Sequence, residues 1–65
     1  MQLIINGESA QSGADTVSAL LREQKLDPKR VVVELNFAVV AREDYDATPL
    51  HEGDTLELVQ FVGGG

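Results

Sequence analysis

The sequence predicts an α+β domain: a mixed sheet of four to five strands with one main helix packed on one face. Three observations carry this. Apolar segments with two-residue alternation stand at both ends of the chain and in its middle. Only one segment, Val17 with Leu20 and Leu21, has the i, i+3, i+4 spacing of a helix laid on a core. And 65 residues leave room for one domain with one small core.

The first strand starts the chain. Leu3 and Ile5 alternate with Gln2, Ile4 and Asn6, so one set faces the core and the other faces away. Asn6-Gly7 then predicts a type I′ hairpin turn, which needs positive φ at both central residues. The return segment, Glu8 to Ser12, is weakly patterned and suits an edge strand. Gly13, Ala14 and Asp15 interrupt the pattern, and Thr16 is placed to cap a helix through its hydroxyl. Arg22, Glu23 and Lys25 fall on the exposed side of that helix, which should end before Pro28, since proline drives Asp27 out of the α region.

Val31 to Asn36 is the clearest strand, with Val31, Val33 and Leu35 on one face and Val32 and Glu34 on the other. Phe37 and Ala38 lead to a short strand, Val39-Val40-Ala41. Arg42 to Tyr45 reads as a polar turn or single helical turn, Thr48-Pro49-Leu50 as an extended connector, and Glu52-Gly53-Asp54 as a tight turn. The last strand runs from Thr55 to Phe61. Placing the two terminal apolar strands side by side and parallel at the centre buries both, which is the β-grasp arrangement. Residues 1–61 then form the domain and residues 62–65 a flexible C-terminal glycine tail.

Composition removes whole classes of function. The chain is 43% hydrophobic and 25% charged, as suits a folded globule. Five Lys and Arg against eleven Asp and Glu give a net charge of −6. That balance argues against nucleic acid, whose phosphates call for clustered cations, and against an anionic membrane surface. With no cysteine, disulfides, thiolate metal sites and cysteine nucleophiles are excluded. The first residues lack the basic and apolar regions of a signal peptide, and these features together favour a cytoplasmic location. A chain this short has little room for a catalytic cleft of its own, so a complete enzyme is not expected.

The informative segment is Val62-Gly63-Gly64-Gly65, which holds three of the six glycines. Taken alone, a glycine-rich end is first of all a frayed terminus. Its placement directly after an apolar strand, with no linker composition between, raises a second reading. Four extended residues reach about 13 to 14 Å. Without Cβ atoms they make the narrowest possible chain, able to thread a tunnel that excludes side chains and to present a bare α-carboxylate.

With that terminus, the chain resembles the ThiS family, the sulfur carriers of bacterial thiamine biosynthesis among the ubiquitin-like proteins. The likeness covers the whole chain. It rests on Leu3-Ile4-Ile5-Asn6-Gly7, Thr16 to Leu21, Val33-Glu34-Leu35-Asn36 with Val39-Val40, and Arg42-Glu43 with Tyr45, then Leu50, Gly53-Asp54, Glu57-Leu58-Val59 and the final glycines. The family pattern ends in two glycines and this chain in three; Gly64-Gly65 is taken as the matching pair.

The resemblance implies a mechanism. A ThiF-type adenylating enzyme uses ATP to turn the Gly65 carboxylate into an acyl-adenylate, and sulfur from a persulfide enzyme replaces AMP to leave a thiocarboxylate. Thiazole synthase, the ThiG-type enzyme, then consumes that sulfur. Gly65 is the reacting residue, Gly64, Gly63, Val62, Phe61 and Val59 are its partner-binding neighbours, and no bound cofactor or metal is implied. Related readings are the small subunit of molybdopterin synthase, a lysine-conjugating modifier, and an unreactive interaction module.

The remaining polar residues suggest no second chemistry. His51 is the only histidine, so no multi-histidine metal site can form. Glu43, Asp44 and Asp46 lack calcium-loop spacing and suit a solvated turn, with Arg42 free to pair with them or with a partner. On the last strand, Leu56 and Leu58 alternate with Glu57, while Val59 and Phe61 fall on the opposite face with Ile4 and Val32. Two readings stand for Phe61: part of a docking surface, or a ring at the edge of the core.

Overall fold

The structure is a computed structural model that describes residues 1–62. Five strands and one helix follow in the order β1 (Gln2–Ile5), β2 (Glu8–Gln11), α1 (Val17–Glu23), β3 (Val31–Leu35), β4 (Ala38–Val40) and β5 (Thr55–Gln60), with a 3-10 turn at Arg42–Asp44. The strands form one mixed sheet in the order β2-β1-β5-β3-β4. The first and last strands pair in parallel, and every other neighbouring pair is antiparallel. This is the expected β-grasp layout, and no described helix is long and apolar enough to cross a membrane.

Local chemistry sets the element ends. Asn6 and Gly7 take φ of 51° and 82°, closing the β1–β2 hairpin as a two-residue turn. The Thr16 hydroxyl accepts from the Ala19 amide at 3.1 Å and caps α1. At the other end Lys25 sits at φ 59° while its amide reaches the Arg22 carbonyl, and the Leu26 amide reaches that of Leu21. These two bonds form a Schellman closure, with lysine where glycine is usual.

One face of the sheet packs on α1. Leu3, Val17, Leu20, Val33 and Leu56 are fully buried there, with Leu21 and Val31 beside them. Three further core side chains come from the connectors, Ala14, Tyr45 and Leu50. Arg42–Asp44 forms the single helical turn expected there, but Tyr45 departs from the polar reading of that segment. Its ring completes the core, and its hydroxyl donates to the Val31 carbonyl at 3.0 Å, which satisfies the polar tip. Arg42 pairs with none of the nearby carboxylates and donates to the Lys29 carbonyl instead.

The loop before α1 is tied to the helix end. The Glu23 carboxylate accepts from the hydroxyl of Ser12, a buried polar residue, at 2.6 Å and from the Gly13 amide at 3.0 Å. These bonds hold its carboxyl below the ordinary value, the Ser12 bond contributing most.

The β3–β4 connection also differs from expectation. β4 starts at Ala38, one residue before the anticipated strand, because Asn36 and Phe37 form a two-residue turn with φ of 51° and 72°. That is the conformation of Asn6-Gly7, with phenylalanine in place of glycine. The Asn36 amide holds it: its Oδ1 accepts from the Thr55 amide and its Nδ2 donates to Asp54.

Candidate functional site: the root of the tail and the open sheet face

β5 carries the chain from the centre of the sheet to the tail. Its lower half lies between β1 and β3, held to β1 at Thr55 and Leu56. Above that point β1 has turned into its hairpin, and the Asn6 side chain takes over, with Oδ1 accepting from the Leu58 amide at 2.8 Å and Nδ2 donating to the Leu58 carbonyl at 3.3 Å. A side-chain amide thus replaces one rung of the backbone ladder. On the other side, pairing with β3 continues to Val31–Gln60, and the Phe61 amide donates to the Arg30 carbonyl at 2.7 Å. Phe61 lies one residue beyond β5, so the strand is shorter by one than anticipated.

The Arg30 carbonyl is itself positioned by a turn. The Asp27 carboxylate accepts from the Lys29 amide, and the Asp27 carbonyl from the Arg30 amide. Asp27, Lys29, Arg30 and Phe61 line an open hollow of about 540 Å³ beside the root of the tail.

The sheet face away from α1 is uncovered. Val59 and Phe61 are more than half exposed, Ile4 is 39% exposed, Val39 is 69% exposed, and Val32 is half-buried opposite Val59. Phe61 is 56% exposed, which supports the docking-surface reading over a ring at the edge of the core. Val62 is 88% exposed at the end of the described chain. Of the residues singled out by sequence, Val59, Phe61 and Val62 therefore follow one another at one end of β5. Gly63, Gly64 and Gly65 lie outside the described residues.

Sequence reasoning missed two members of this surface, Val39 and Arg30. The sequence places Val39 in a strand but assigns it no face. Arg30 carried no motif at all. Its place beside Phe61 follows from strand register, which no local pattern encodes. His51 is exposed, with Nδ1 3.9 Å from Asp54. Among the described residues no group of His, Cys, Asp and Glu is arranged to hold a metal ion.

Comparisons with known proteins agree with this geometry. The chain is 37% identical to the sulfur carrier protein ThiS of Bacillus subtilis over 97% of its own length and 98% of that protein. It is 44% identical to a thiazole synthase of Paramagnetospirillum magneticum, covering all of this chain but 20% of that protein's length. The crystal structure of a thiamine biosynthesis protein, ThiS, from Geobacter metallireducens superposes with a TM-score of 0.83 at 40% identity, each chain covered in full. The ThiS family matches residues 3–65, from the first strand through the glycines that the open face and the root at Phe61 lead into, and the chain belongs to that family.

Proposed function

We propose that this chain is a sulfur carrier for thiazole formation in thiamine biosynthesis, with the Gly65 α-carboxylate as the carrying group. The family match through residue 65 carries the reading. A carboxylate is a poor electrophile. A ThiF-type enzyme spends ATP to convert it to an acyl-adenylate, releasing pyrophosphate. The outer sulfur of a persulfide enzyme displaces AMP, and a thiol resolves the resulting acyl disulfide to a thiocarboxylate. Thiazole synthase takes the sulfur from there and returns the carboxylate. The thiazole synthase relative, which contains a stretch similar to this whole chain, supports that last partner.

Each part of the chain has a role in this scheme. Residues 1–61 are the rigid body that partners grip, and residues 62–65 are the tail that enters their active sites. Val59, Phe61 and Val62 guide the docking, and Gly63 and Gly64 keep the tail narrow. The chain is a co-substrate, it needs neither metal nor cofactor of its own, and it works in the cytoplasm with the enzymes that act on it.

Intact mass spectrometry tests the reading. After incubation with ATP, the adenylating enzyme and a sulfur donor, the protein should gain the mass of one sulfur in exchange for one oxygen, mapped to Gly65. Deleting Gly65 should abolish the gain while leaving the fold intact. No gain in the wild-type chain, with an enzyme active on a known carrier, rejects the sulfur-carrier reading in favour of an unreactive interaction module.

A further inference from the structure

Glu34 and Glu57 stand directly opposite each other on β3 and β5. Directly opposed residues of an antiparallel pair have Cβ atoms about 5 Å apart, and like charges at such positions oppose pairing. Both belong to the open face, since Glu34 shares a face with Val32 and Glu57 with Val59. Val39 is the neighbour of Glu34 on its other side, and Val32 with Val59 form the next row. Among the described residues the ion pairs are Arg30 with Asp27 and His51 with Asp54, and neither glutamate takes part. Two carboxylates thus sit side by side within a frame that is apolar at Val32, Val59 and Val39 and polar at Asn6 and Thr55, with no described cation paired to them.

A partner that covers this frame strips water from both carboxylates. Buried charge without a counter-charge is strongly unfavourable, so the covering surface has to bring positive charge with it. We infer that the open face docks on a protein surface that is apolar around a single basic side chain, and that this side chain seats between Glu34 and Glu57. An arginine fits best, because its planar fork can serve two carboxylates at once. A second copy of the chain does not fit. Face to face it would bring four carboxylates together, between molecules that each carry a net charge of −6.

The inference rests on the sulfur-carrier reading, which supplies the partner: the adenylating enzyme. Calorimetric titration of that enzyme with the full-length chain tests it, using wild type, the double variant E34Q/E57Q, and the control E8Q/E43Q. The control removes the same charge from exposed positions off this face. The double variant should bind about 30-fold more weakly, and it should melt no lower than wild type because an unfavourable opposition is gone. The control should stay within about threefold of wild type.

Equal binding by wild type and double variant overturns the seated cation. So does an equal loss in the control, which would mean long-range steering alone, and so does concentration-dependent self-association through this face in sedimentation. Wild type that is neither bound nor activated rejects the carrier reading and the inference with it. Wild type that is activated, with an unaffected double variant, rejects the inference only.

Discussion

The Tyr45 hydroxyl donates to the Val31 carbonyl at 3.0 Å, joining the connector after the 3-10 turn to the first residue of β3. Both residues are buried, so water is poorly placed to substitute. Tyr45→Phe should therefore lower the unfolding free energy by about 1 to 2 kcal/mol, read from urea denaturation. An unchanged midpoint would show that the hydroxyl contributes nothing net.

Glu23 gives stability a definite dependence on pH. Its folded carboxyl is held below the ordinary glutamate value, first by the Ser12 hydroxyl and then by the Gly13 amide. A depressed folded value means that the contribution is fully present above the unfolded pKa and is lost as pH falls through the folded one. Wild type should be more stable than Glu23→Gln near neutrality, and the gap should narrow as pH falls below about 4.5. Parallel urea titrations across that window check the sign. A gap that stays constant would show that the two hydrogen bonds do not depend on the carboxylate charge.

Leu56 and Phe61 lie five residues apart, one fully buried and one 56% exposed. Leu56→Ala should cost about 2 to 5 kcal/mol, enough to unfold much of so small a domain. Phe61→Ala should shift the melting temperature little and weaken binding to the adenylating enzyme instead. Circular dichroism melts and a binding titration separate the two effects. A large stability loss at Phe61 with normal binding would assign the ring to the core.

Phe37 holds φ 72° with its ring 83% exposed, so it has the cost of left-handed backbone with little packing to offset it. Phe37→Gly should stabilise the domain by about 1 kcal/mol, measured by the same denaturation. A loss of stability would show that the ring makes contacts that matter more than the backbone strain.

Much of this fold can be read locally. Thr16 caps where a hydroxyl before an apolar stripe should, Asn6-Gly7 turns where its φ preference demands, and the alternation in Val31 to Leu35 and Leu56 to Val59 assigns their faces. What could not be read depends on distance or on exception. Tyr45 sits in a polar run, and only the tertiary fold brings its ring to the core. The Asn36-Phe37 turn was hidden because phenylalanine rarely takes positive φ, and Asn36 is held there by Thr55 and Asp54, distant in sequence. The opposition of Glu34 and Glu57 is a matter of register between strands that are far apart along the chain. The site was partly legible for the same reason: Val59, Phe61 and Val62 follow one another in sequence, whereas Arg30 and Val39 join them only across strands.

The parallel pairing of β1 with β5 fixes the polarity of the whole molecule. Ile4 is level with Thr55, so Met1 lies at one pole and Phe61 at the other, roughly 30 Å away along the strands. Anything attached ahead of Met1, whether an affinity tag, a fluorophore or a surface linker, hangs from the pole opposite Phe61. A tether at Met1 therefore leaves the Val59 to Phe61 end of the sheet clear.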